Sequence, residues 1–185
     1  NLHRVDNVWS PRAGLVFQPR HWTSFYTSFS RSFQPSGEGL SLATNNAQLE
    51  PESTINREIG NKSEFLGGRL QATVAAFDLQ RRNVKTIDPL DFSRLILAGR
   101  QRTRGAELSL AGDLAHRVQI YGGYAFLDTR ILESNDSASG VPIQGKRLGH
   151  IPLHSANLWS NLRLTERLGF GLGLTYAGNR FTAND

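Results

Sequence analysis

The 185-residue sequence predicts an all-β fold, an antiparallel meander of about eight long strands. Three observations predict it. Polar and apolar residues alternate with a period of two over most of the chain, and helical spacing is nearly absent. Breaks rich in Gly, Ser, Asn, Asp and Pro separate the alternating runs, and their lengths go short, long, short, long. Several of the runs exceed about 12 residues, whereas strands in soluble proteins usually have about 3–10.

Taken in order, the strands fall at 12–18, 21–33, 53–65, 68–87, 94–112, 116–133, 151–164 and 168–181. The last is the cleanest: Phe170, Leu172, Leu174 and Tyr176 share one face, and Gly169, Gly171, Gly173 and Thr175 share the other. In the fifth strand Ala106, Leu108 and Leu110 point one way and Gly105, Glu107 and Ser109 the other, with Arg104 closing the apolar row with a charge. The sixth places Val118, Ile120, Gly122, Tyr124 and Phe126 opposite Gln119, Tyr121, Gly123 and Ala125. Short breaks lie at 18–21, 65–68, 112–116 and 165–167, and long ones at about 34–52, 88–93 and 134–150. Strict alternation gathers every short turn at one end of the sheet and every long loop at the other.

Composition narrows the function classes. Without cysteine there is no disulfide, no thiolate nucleophile, no Cys-ligated zinc and no iron–sulfur cluster. The longest wholly apolar runs have about four residues, against the roughly 20 that a membrane-spanning helix needs. A spanning strand has no such requirement. The formal charge of +5 invites comparison with nucleic-acid binders, yet Arg100, Arg102 and Arg104 form only a narrow row on one side of a strand, so no nucleic-acid partner is expected. No nucleophile elbow or helix-linked glycine motif occurs, and the chain is not expected to be an enzyme. With no Met at any position, the sequence reads as an internal fragment.

Long strands, one greasy face and loop asymmetry suit a membrane barrel. Lipid cannot satisfy backbone N–H and C=O groups, so a spanning sheet must close on itself, with short turns on one side and long loops on the other. The aromatics Trp22, Tyr26, Phe65, Trp159, Tyr176 and Phe181 near strand ends fit interfacial girdles. An eight-stranded closed barrel of structural or adhesive function is the alternative architecture.

Specific segments resemble the barrel of TonB-dependent ferric-siderophore receptors. They are Ser10-Pro11-Arg12-Ala13-Gly14-Leu15-Val16-Phe17-Gln18-Pro19, then Ser24 to Pro35, Leu49-Glu50-Pro51-Glu52, and Glu58-Ile59-Gly60-Asn61-Lys62 with Phe77 and Asn83 beyond. Arg104 to Leu108, Gly122 to Asp128, Ile151 to Trp159 and Tyr176 to Arg180 continue the order. The resemblance implies one partial barrel domain over 1–185, an incomplete segment of a 22-stranded transmembrane β-barrel without its plug and final strands. It also implies uptake of a ferric siderophore across the outer membrane of a Gram-negative bacterium, energised by TonB through an N-terminal region, by a monomer in contact with lipid bilayer and lipopolysaccharide. The siderophore is cargo, and no covalently bound cofactor is expected.

Site residues divide by position. Glu58, Lys62, Arg104 and Glu107 are expected to be structural groups of a polar lumen, pairing across neighbouring strands. Arg94, Arg100, Arg147 and His150 sit near the long loops and are the candidate contacts to an anionic or oxygen-rich iron chelate. His150 and His154 are four apart, but Pro152 lies between them and no carboxylate accompanies them at metal-site spacing. They read as a loop end and a strand start.

Overall fold

The structure is a computed structural model; it describes residues 7–34 and 50–182, without the side chains of 93–95 and 98. Eight strands form one antiparallel sheet: β1 (Arg12–Arg20), β2 (Thr23–Gln34), β3 (Glu52–Phe65), β4 (Leu70–Asp88), β5 (Asp91–Ala115), β6 (Val118–Glu133), β9 (His154–Arg163) and β10 (Gly169–Ala177). Two short strands, β7 (Ser137–Ala138) and β8 (Val141–Pro142), make a small hairpin between β6 and β9. Each long strand pairs with its predecessor, and β1 does not pair with β10. The sheet is therefore an open barrel segment, which removes the closed eight-stranded alternative.

Cross-strand register sorts every side chain onto one of two faces. One face runs through Leu15, Thr27, Ile59, Ala76, Ala106 and Phe126, which lie opposite one another in a single row. From Leu15 to Ala106 its members are exposed, Leu15 75% and Ile59 64% accessible, and Phe126 is half-buried. The other face is shielded. Along β2, Ser24, Tyr26 and Ser28 are half-buried between exposed Phe25, Thr27 and Phe29, and on β4 Ala75 is buried between exposed Val74 and Ala76. Curvature crowds side chains on the inner surface, so the shielded face is concave and the apolar face convex. Apolar groups turned outward in this way are suited to lipid, and polar ones turned inward to a lumen.

The turns at one end are short. His21-Trp22 and His116-Arg117 join their strands with two residues each. Between β3 and β4, Leu66, Gly67 and Gly68 all take positive φ (55°, 70° and 85°), a path that glycine adopts without steric cost. At the other end one expectation is corrected. The connection at 88–93 is not a long loop, because β4 and β5 continue until only Pro89 and Leu90 remain between them. The chain spends those residues on an extended hairpin instead. Asn83, at φ 58°, starts an irregular stretch where the register shifts twice between Arg82 and Thr86. Such bulges bend and twist a strand locally.

Candidate functional site: the concave wall and its loop end

Three aromatic rings lie flat on the concave wall, each over a glycine directly opposite in the neighbouring strand. Tyr26 covers Gly60, Phe77 covers Gly105 and Trp159 covers Gly173. A methyl group on any of these glycines would come within 2.5 Å of the ring. The bare glycine face seen in β10 is thus not empty: Trp159 occupies it and donates its indole N–H to Asn161 Oδ1 at 2.9 Å. Flat rings leave the lumen open while covering backbone.

Around Tyr26 the polar groups are connected. Its hydroxyl donates to Glu58 Oε1 at 2.6 Å, and Lys62 Nζ stands 5.5 Å from its ring centroid. Glu58 and Lys62 flank Gly60 on the same strand face, so the ring fits between a carboxylate and an ammonium. Glu107 shares the concave row of Tyr26, Gly60 and Ala75. It lines a shallow groove of about 440 Å³ with Thr73, Ser109, Gly123, Asn157 and Thr175. This wall can hold hydrogen-bonding groups of a polar occupant at many points without a deep cavity.

Toward the long connections, the concave row Thr54, Arg81, Gln101 and Ile131 carries one cation. Arg81 donates to Glu52 Oε2 at 2.6 Å and to Gln101 Oε1 at 3.3 Å. Above it the loop 134–153 is folded back as a cap. The Ile131 N–H donates to the Lys146 carbonyl at 2.9 Å, Gly145 N–H to the Ile131 carbonyl at 2.7 Å, and Leu148 N–H to Thr129 Oγ1 at 3.2 Å. Ile131, Ile143 and Thr129 are buried there. Asp136 accepts the Ile87 N–H at 2.7 Å, fastening the cap to the β4–β5 hairpin.

A family profile described as "TonB dependent receptor-like, beta-barrel" matches residues 1–185. The chain belongs to the TonB-dependent receptor β-barrel family. Among its relatives, the probable TonB-dependent receptor BfrD of Bordetella pertussis is 34% identical over 178 residues, covering 94% of this chain and 23% of BfrD. The metal-pseudopaline receptor CntO of Pseudomonas aeruginosa is 31% identical, covering 96% of this chain and 24% of CntO. The crystal structure of the ferric-catecholate import receptor Fiu from Escherichia coli K12 superposes with a TM-score of 0.81 at 26% identity, over 94% of this chain and 25% of Fiu. The chain spans about a quarter of the length of the relatives it matches.

Within a TonB-dependent receptor barrel, the predicted site residues fall in different places. Glu58, Lys62 and Glu107 are on the concave wall. Arg104 is not: Gly105 occupies the concave row with Glu58 neighbour Phe77, and Arg104 faces outward beside Asp78. Its parity with Leu108 and Leu110 already carried that signal. Arg100 is likewise convex, in register with Arg82, and pairs with Glu133 at 2.6 Å. Arg147 tethers the cap, donating to the Leu127 carbonyl at 3.2 Å with Asp128 Oδ1 3.9 Å away. His150 sits in the loop at φ 63°, its N–H donating to the Phe181 carbonyl at 2.8 Å. The Arg94 side chain lies outside the described residues. His154 begins β9 on the convex face, 2.7 Å from the Tyr124 hydroxyl. Of the supposed girdle aromatics, Tyr26 and Trp159 face the lumen instead. Arg81 is the functional candidate that composition alone concealed in the pair Arg81-Arg82; alternation sends the first inward and the second outward.

Proposed function

We propose that the parent protein is an outer-membrane receptor that takes up a ferric siderophore with energy delivered through TonB, and that this chain forms eight consecutive strands of its barrel wall. The observation that carries the reading is the likeness of the whole meander to the ferric-catecholate receptor Fiu. Its polar concave wall supports a hydrated passage, and its apolar convex face supports lipid contact. The edge groups of β1 and β10 would be satisfied by further strands, since exposed edges are open to wrong pairing. Siderophore contacts belong at the loop end of the wall, where Arg81 offers a planar cation suited to an anionic, oxygen-rich chelate.

Uptake tests the reading. A strain lacking the full-length gene, starved of iron, is supplied in turn with a panel of ferric catecholates, hydroxamates and carboxylates labelled with iron-55. Loss of uptake of one class, restored by the intact gene only when TonB is present, is expected. Uptake unchanged for every chelate would refute the reading.

A further inference from the structure

The concave wall differs from side to side. Below the cap, successive rows of inward-facing residues run across it from Gly60 to Ala177, from Lys62 to Thr175, from Glu64 to Gly173 and from Asp113 to Gly171. On β3 and β5 these rows carry Lys62, Glu64, Glu107 and Asp113. On β6, β9 and β10 they carry no charge. Their polar members there are Gln119, Ser155, Asn157, Asn161 and Thr175, and Tyr121 stands directly opposite Trp159.

Three shallow grooves follow the uncharged side. The first, of about 440 Å³, and the second, of about 510 Å³, share Ser109, Gly123, Asn157 and Thr175. The second and the third, of about 640 Å³, share Trp159, and the third reaches Arg163 at the short-turn end. Overlap joins them into one trough, with Glu107 and Asp113 of β5 along its border. Four rows two residues apart span about 20 Å along the strands.

A solute that has to move needs many weak contacts and no strong one. A fixed charge in a lumen shielded from bulk water gives ions of one sign a deep well and those of the other a barrier. Hydroxyls and carboxamides do neither, because a hydrogen bond to the solute replaces one to water with little net change. The rings of Tyr121 and Trp159, about half accessible, add contact area without charge. Across the wall the groups are instead tied to one another: Tyr26 donates to Glu58, and Lys62 stands over its ring.

We infer that the trough on β6, β9 and β10 is the track along which a hydrated, oxygen-rich iron chelate crosses this part of the wall, and that the charged side on β2 and β3 is not. The inference rests on the uptake reading above and adds to it a path.

The test places single cysteines in a cysteine-free background of the full-length receptor; this chain contributes none of its own. Asn157→Cys and Thr175→Cys lie in the trough, and Ser28→Cys faces the lumen beside Glu58. Cells transporting the panel of iron-55 chelates above are treated with methanethiosulfonates whose adducts are cationic, anionic or a bare methylthio group. Because labelling follows assembly, folding is not perturbed. Either charged adduct at 157 or 175 should slow uptake by about tenfold with chelate binding at the cell surface unchanged, the methylthio adduct by less than about twofold, and reductant should restore the rate. Treated Ser28→Cys should stay within about twofold of wild type. Charged adducts at both trough positions that leave uptake intact, trough thiols that stay unlabelled during transport, or an equal block at position 28 would overturn the inference. Wild type that takes up none of the chelates refutes the uptake reading itself.

Discussion

Gly60→Ala probes the ring-on-glycine packing of the concave wall. The added methyl would sit 2.5 Å from Cζ and the hydroxyl of Tyr26, so the ring must leave the wall. Leaving breaks the 2.6 Å hydrogen bond to Glu58, and a hydrogen bond to a charged group contributes about 1.5–3 kcal/mol. Against this, alanine in a strand is favoured over glycine by about 0.5–1 kcal/mol. The net loss should be about 1–2 kcal/mol. With Tyr26→Ala already in place the clash is absent, and the same substitution should stabilise by about 0.5 kcal/mol or more. The double-mutant cycle should then show a coupling of about 2 kcal/mol. Guanidinium unfolding of the full-length receptor in lipid vesicles, followed by tryptophan fluorescence, measures all four corners. Additivity within about 0.3 kcal/mol would refute the idea that ring and glycine form one unit.

Other substitutions address the turn, the cap and the upper wall. Gly112→Ala should cost about 1–3 kcal/mol in the same unfolding assay, because the residue sits at φ 134° and a Cβ would overlap the Arg69 carbonyl oxygen. No change in midpoint would show that the β4 start can move aside. Arg147→Ala should speed protease cleavage within 134–150 while shifting the barrel's unfolding by less than about 0.5 kcal/mol, since the side chain holds loop to wall and not strand to strand. Arg81→Gln should raise the half-saturating concentration for ferric-siderophore uptake by about three- to tenfold at unchanged receptor abundance. An unaltered uptake curve would remove Arg81 from the ligand path.

The meander was legible because alternation is a local signal. Strand order, the apolar face of β10 and the split of Ala106, Leu108 and Leu110 from Glu107 all follow from counting by twos. The same count, carried one residue further, puts Arg104 and Arg100 outside, and an inference from charge to lumen overrides it wrongly. Register between strands is a different matter. No sequence pattern states that Tyr26 meets Gly60 or that Trp159 meets Gly173, since pairing across strands depends on turn length and bulges. The hairpin of β4 and β5 was hidden for a similar reason: Asp88, Pro89 and Asp91 read as loop composition, yet the turn uses only Pro89 and Leu90 and both aspartates end strands. Arg147 looks like a free loop cation in sequence, and only the folded cap reveals the Leu127 carbonyl and Asp128 beside it.

The distribution of buried residues explains why the two ends of the wall are stabilised differently. Among the described residues only Ala75, Ile131 and Ile143 are buried hydrophobic side chains, and two of these, Ile131 of β6 and Ile143 of the cap, lie where the cap meets the wall. Through the spanning section no second protein layer among the described residues backs the sheet, so ordinary core packing has nothing there to pack against. Cohesion there comes from the backbone ladder, which lipid cannot compete with, supplemented by rings that turn bare glycine backbone into contact surface. Beyond the membrane the ladder is exposed to water and is a weaker constraint. That is where the chain builds a small buried cluster and uses the Asp136 carboxylate, the Lys146 carbonyl and the Thr129 hydroxyl to fasten the loop to strands. On the proposed function, a loop fixed in this way would hold its groups in place before the siderophore arrives, and recognition would lose less conformational freedom than in an unanchored segment.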